Sequence, residues 1–182
     1  PFLAFFAAAS LYPAPSEGSG RGTAIASILL SFVLLAGLLF GYYGKERQYY
    51  FTGDEVAAAQ FIHEYAPAQS LLIDGAWGHS LQYQNYEDYD YLSLVSMLAE
   101  DRKALIADPV GFLTDTMDAY PTAYLVLSRS QEAAIDMTGA MPAGSLQKIK
   151  QALFGSPEFK AIFSNPDATV FVLSSQTRGV PQ

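Results

Sequence analysis

The sequence predicts an α/β fold: a small, mostly parallel sheet flanked by helices, preceded by a transmembrane helical hairpin whose first helix is truncated. Three observations predict it. Residues 23–43, "TAIASILLSFVLLAGLLFGYY", carry no charge over 21 positions. Three short apolar runs, "SLLID" (70–74), "TAYLVLS" (122–128) and "ATVFVLSS" (168–175), stand apart in the rest of the chain. Between them lie segments with helical starts, helical spacing or both. Continuous apolar strands separated by helices imply a sheet covered on both faces.

The elements follow in order. "PFLAFFAAASLY" (1–12) is apolar, but at ~1.5 Å per residue it reaches only ~18 Å, too little to cross a bilayer. The chain does not start with Met, and no basic n-region precedes this stretch, so a signal peptide fits poorly. We expect the whole to be a C-terminal piece of a longer protein. "PAPSEGSGRG" (13–22) is a short polar turn. Residues 23–43 would then span ~31 Å as a helix, close to the ~30 Å hydrocarbon core. Tyr42, Tyr43, Lys45 and Arg47 suit its boundary with water. Residues 1–47 are thus expected to be transmembrane segments with a short connecting loop, and 48–182 a soluble α/β domain.

In the second part, Thr52 and Glu55 have capping-box spacing at a helix start. Ala58, Phe61, Ile62 and Tyr65 make one apolar stripe, and Pro67 stops the helix. A strand follows at 70–74, then the aromatic stretch "WGHSLQYQNYEDYDYLSL" (77–94). "LSLVSMLAEDRKALI" (92–106) reads as a helix. "DPVGFLTDTMDAY" (108–120) reads as another, with Asp108 as cap and Pro109 first in the helix. After the strand at 122–128, "SLQKIKQALFG" (145–155) is an amphipathic helix. "SPEFKAIFS" (156–164) reads as a further helix with Pro157 in its first turn, before the last strand.

Charge and composition exclude several functions. From Gln48 onward, 7 Lys and Arg face 16 Asp and Glu, a formal −9. A basic face for nucleic acid is absent, and attraction to anionic lipid headgroups is not expected. With no Cys there is no disulfide framework, thiolate nucleophile or thiolate metal site. The two histidines, His63 and His79, are too few for a zinc site, and "EDYD" lacks the Gly and terminal Glu of a calcium loop. No P-loop, dinucleotide turn or "GxSxG" occurs, so we assign no catalytic residue, metal or cofactor.

Ligands of open parallel sheets sit outside the carboxyl ends of the strands. The first strand ends at Asp74, leading into "GAWGH", and the second at Ser128 and Arg129. Asp74, Trp77, His79 and Arg129 could therefore share one rim, with Tyr83 and Tyr86 in the aromatic stretch lying over it. Flat rings beside carboxylates suit a glycan. The alternative is that Asp74 caps a turn, Trp77 fills the core and Arg129 pairs with a local acid. Tyrosine hydroxyls and the solvated carboxylates of Glu87, Asp88 and Asp90 are expected at the surface of this stretch.

The run "FTGDEVAAAQFIHEYAP", followed later by "AYLVLSRSQEAAIDMTGAMPAGSLQKIKQALFGSPEFKAIFSNPDATVFVLS", resembles the C-terminal end of bacterial and archaeal polytopic membrane proteins related to the GT-C glycosyltransferases. The resemblance covers residues ~23–175 at the level of the domain, and "SPEFKAIFSNPDATVFVL" carries it best. It implies an integral membrane protein with an extracytoplasmic α/β domain, using a polyprenyl-phosphate sugar, with its catalytic carboxylate in an early outer loop. No such residue maps onto this sequence. Membrane lipid and a lipid-linked sugar or glycan are the implied partners. Lys45 and Arg47 follow the helix, where the positive-inside rule would place cytoplasm, so orientation stays open. The alternative is a membrane-anchored extracytoplasmic ligand-binding or interaction domain without catalysis.

Overall fold

A computed structural model of the chain describes residues 21–43, 50–76 and 85–177, with the side chains of 21–27, Tyr43 and Tyr86 outside that description. The chain divides into two compact units, Pro1–Glu46 and Arg47–Gln182.

The first unit contributes helix α1 (Arg21–Tyr43). Its side chains are apolar on consecutive positions rather than along one stripe, and they are exposed: Phe32 at 68%, Val33 at 67% and Phe40 at 80%. Among the described residues no helix is long and apolar enough to cross a membrane. The first arm of the expected hairpin, in residues 1–12, lies outside the described residues, so the hairpin is unsupported.

The second unit is an α/β unit with a five-stranded sheet, β1 (Leu71–Asp74), β2 (Asp90–Ser93), β3 (Ala123–Ser128), β4 (Phe159–Ser164) and β5 (Ala168–Leu173). Its strand order is β2-β1-β3-β5-β4. β2 and β3 both pair parallel to β1, whereas β5 runs antiparallel to β3 and to β4. The sheet is therefore mixed, not mostly parallel. The reason is local. "FKAIFS", expected to be helical, is strand β4, and Asn165, Pro166 and Asp167 turn it straight back into β5. Asn165 holds that turn, its side-chain oxygen accepting from the amides of Asp167 (3.2 Å) and Ala168 (2.7 Å). Ile162 is an extra residue between Ala161 and Phe163 in the pairing with β5. A bulge and an outward Lys160 blunt this edge strand against further pairing.

Alternate residues of the central strands point to opposite faces, as the period of a strand requires. Leu71, Ile73, Leu125 and Phe171 face one core, which is closed by α3 (Ala99–Ala107), α4 (Pro109–Asp118), α5 (Arg129–Thr138) and α6 (Ser145–Phe154). Leu72, Tyr124, Val126 and Val170 face the other, which meets Ala58 and Ile62 of α2 (Gly53–Tyr65). Helices thus cover both faces, as expected. The helix expected from residue 92 starts instead at Ala99, because residues 90–93 are strand β2 and 94–96 a single 3₁₀ turn. Asp108 caps α4 through the Gly111 amide (3.0 Å), with Pro109 first in the helix. α5 ends on Gly139 in the left-handed region, where a side chain would be strained.

Leu125, fully buried at the centre of β3, sets a test of this core. Leu125→Ala should lower unfolding stability by ~2–5 kcal/mol, since burial is lost and a cavity is left. Leu98→Ala, at a side chain 75% exposed, should stay within ~0.5 kcal/mol. Urea titration of both variants checks the pair.

Candidate functional site

The carboxyl ends of β1 and β3 lie side by side, Asp74 opposite Val126 in the parallel register. Two residues further along β3 the strand passes directly into α5, and Ser128 is the cap. Ser128 and Gln131 have the spacing of a capping box: the Gln131 side-chain oxygen accepts the Ser128 amide at 3.1 Å. The same oxygen accepts the Gly75 amide, also at 3.1 Å, so one buried amide group ties the ends of both strands. Gly75 permits this close approach. A Cβ at that position would stand 2.7 Å from the Leu146 side chain and 2.9 Å from the Gln131 oxygen. Because both neighbours are donors, the Gln131 oxygen must face them, and its buried side-chain nitrogen finds no hydrogen-bond partner among the described residues.

Glu55 brings the start of α2 to the start of α5. Its side chain is fully buried, and its Oε1 accepts the Ser130 amide at 2.7 Å. Oε2 accepts the Thr52 amide at 3.0 Å, which closes the capping box of α2 with the Glu55 amide donating to Thr52 Oγ1 at 3.3 Å. Burial, the largest single influence, pushes the Glu55 carboxyl up. Hydrogen bonds from the Ser130 hydroxyl, the Thr52 amide, the Ser130 amide and the Ser128 hydroxyl together outweigh it and hold the group below its ordinary 4.5. The α5 N-terminus, with its unsatisfied amides and positive dipole end, therefore holds a carboxylate of the chain itself.

Arg129 organises the outside of this junction. Its guanidinium lies 3.6 Å from Glu55 Oε2 and 3.9 Å from Asp167 Oδ1, and Nη2 donates to the Tyr50 carbonyl at 2.9 Å. The Arg129 amide donates to the Asp167 carbonyl at 2.9 Å, and Asn165 donates to the Asp54 carbonyl at 2.8 Å. The β4–β5 turn is thereby fastened to the starts of both α2 and α5.

Beside this junction opens a cleft of ≈ 140 Å³, lined on one side by Ser128, Arg129 and Glu132 and on the other by Gln147 and Lys150 of α6. Leu127, Leu146 and Pro166 supply its apolar walls and Asp167 a further carboxylate. Among the described residues no group of three or more His, Asp or Glu could hold a metal ion.

The residues singled out from the sequence fall at different places. Asp74, 3% exposed, and Arg129 share the carboxyl edge of neighbouring strands. Arg129 is committed to Glu55 and Asp167, which is the alternative weighed for it. Trp77, His79 and Tyr83 lie outside the described residues. Tyr86 opens a 3₁₀ turn, Tyr86–Asp88, that leads into β2. Since β2 starts opposite Leu71, that turn lies at the amino edge of the parallel strands, and the structure does not bring it together with Asp74 and Arg129. Tyr89 and Tyr91 pack against the α2 side of the sheet. The Tyr89 hydroxyl donates to the Ala66 carbonyl at 3.3 Å, and burial followed by the nearby Asp88 charge raises its pKa. Glu87, Asp88 and Asp90 are exposed and make no ion pair among the described residues. The sequence reading missed Glu55 as a link to α5 and missed Ser128, Gln131 and Lys150. The S-x-x-Q spacing of Ser128 and Gln131 was the one available signal.

No protein-family model, curated protein or solved structure matches the chain.

Two predictions follow from this geometry. Glu55 has a lowered folded pKa, so its stabilisation is fully present above pH 4.5 and is lost as pH falls through the folded value. The stability advantage of the native chain over Glu55→Gln should therefore be flat at neutral pH and shrink in acid, as denaturant titrations at several pH values would read. Gln131→Leu leaves the buried Gly75 and Ser128 amides without acceptors. It should cost ~1–3 kcal/mol, the penalty for orphaned buried polar groups, and a thermal shift measurement would detect that.

Proposed function

We propose that this chain is a membrane-anchored module in which α1 lies in the bilayer and the α/β unit works outside it, beside a lipid-linked sugar transfer reaction. The observation that carries the anchor is α1 itself. Apolar side chains cover its described length on every side and are exposed there, and a helix that is apolar all round needs an apolar surrounding. In the sequence the uncharged stretch runs from residue 23 to residue 43, and 21 residues as a helix would reach ~31 Å, close to the ~30 Å hydrocarbon core. The sugar-transfer part rests on the resemblance of residues ~23–175 to the outer domain of GT-C-like membrane proteins. On this reading the α/β unit positions a substrate or partner and does not itself break or form a glycosidic bond.

A second reading is a membrane-anchored ligand-binding domain with no transferase attached. The cleft at the carboxyl end of β3 favours it, because that is where open α/β sheets bind small molecules.

Flotation with phospholipid vesicles tests the anchor. The full chain should rise with the vesicles and resist high salt. Leu34→Arg together with Leu35→Arg should release it, each charge near the helix centre costing ~2.5–3.5 kcal/mol. A native chain left in the aqueous layer would contradict the anchor. Photo-labelling by a polyprenyl-phosphate sugar in the same vesicles tests the sugar part. Labelling no greater than that by the bare polyprenyl phosphate would contradict it and leave the anchored binding domain.

A further inference from the structure

We infer that the cleft between α5 and α6 is a binding site for a small zwitterion of amino-acid size, its carboxylate directed to Lys150 and its ammonium to Glu132. Size sets the class first. The cleft measures ≈ 140 Å³, well above the ~10–15 Å³ that holds one water. That admits a compound of amino-acid dimensions.

Charge sets the rest. Four charged residues line the cleft: Arg129, Lys150, Glu132 and Asp167. Two of them are already committed, Arg129 to Glu55, Asp167 and the Tyr50 carbonyl, and Asp167 to Arg129. Lys150 and Glu132 are not. Both are half-buried, they stand on different helices, and among the described residues neither makes an ion pair or side-chain hydrogen bond, including with each other. One unspent positive and one unspent negative charge therefore face the same small space without meeting.

A simple anion drawn to Lys150 would also meet Glu132 and Asp167, and a simple cation drawn to Glu132 would meet Lys150 and Arg129. Like charges brought together in a confined site cost affinity. A molecule carrying both charges a few ångströms apart satisfies the two free groups at once. Leu127, Leu146 and Pro166 leave apolar wall for a small side chain. The junction behind the cleft is rigid, because Ser128 is held by Gln131 and Arg129 by Glu55. Ser128 and Arg129 are therefore placed before a ligand arrives, which lowers the cost of ordering that wall on binding.

The test uses the full chain in detergent micelles, with L-alanine as probe and acetate and methylammonium as its two halves. Calorimetric or NMR titration should show saturable binding of L-alanine and at least tenfold weaker binding of each half. Lys150→Gln and Glu132→Gln should each weaken L-alanine binding at least tenfold while leaving the thermal midpoint unchanged. The exchanged pair Lys150→Glu with Glu132→Lys should recover binding, since a zwitterion can enter the other way round. Three results would overturn the inference: no saturable binding of L-alanine, acetate binding as tightly as L-alanine, or single variants that bind like the native chain. None of these bears on whether α1 is in a membrane, so the site can fail while the anchor stands.

Discussion

A single carboxylate, that of Glu55, joins two helix starts that lie 75 positions apart in the α/β unit. It closes the first turn of α2 by accepting the Thr52 amide, and with its other oxygen it accepts the Ser130 amide at the first turn of α5. An isolated buried carboxylate would be driven to take up a proton. This one keeps its charge because backbone amides and serine hydroxyls surround it. Arg129 then closes the outside, and its link to Asp167 brings in the β4–β5 turn. Remove the carboxylate and the helix N-termini on opposite faces of the sheet lose the group that holds them in register.

That clamp has a consequence for the carboxyl edge of the sheet. The α5 N-terminus, which in many α/β proteins receives a ligand's phosphate or carboxylate, is already filled from within. The open space lies one step aside, between the outer face of α5 and α6, where Glu132 and Lys150 line the cleft. Gln131 performs the matching task beneath it, holding the ends of β1 and β3 together by one oxygen. Both strand ends and both helix starts are thus fixed by side chains of the α2 and α5 first turns, and so is the Ser128–Arg129 wall of the cleft.

Much of this was legible in the sequence where the signal is local. The Thr52–Glu55 capping box, the Asp108–Pro109 helix start and the apolar strands at β1, β3 and β5 depend on neighbours a few residues away. What failed depends on distant pairing. "FKAIFS" follows a proline and carries charge, which reads as a helix start, yet the chain reverses at Asn165 and places those residues on the edge of the sheet beside β5. β2 is only four residues long and sits inside an aromatic stretch, so nothing local separates it from a loop. Its direction nevertheless decides that Tyr86 belongs to the amino edge, away from Asp74 and Arg129. The second bond of Glu55 was invisible for the same reason. Its partner is Ser130, 75 positions along the chain, and no spacing rule reaches that far.

The most direct test of this account is hydrogen exchange at the Ser130 amide, read by NMR in the native chain and in Glu55→Gln. An amide in the first turn of a helix has no partner within that helix, so its protection must come from the Glu55 oxygen. The account predicts slow exchange of Ser130 in the native chain, near that of the buried β3 amides. It predicts markedly faster exchange in the variant, with the β3 amides little changed. Fast exchange of Ser130 in the native chain, or equal protection in both, would contradict the claim that this carboxylate holds the junction.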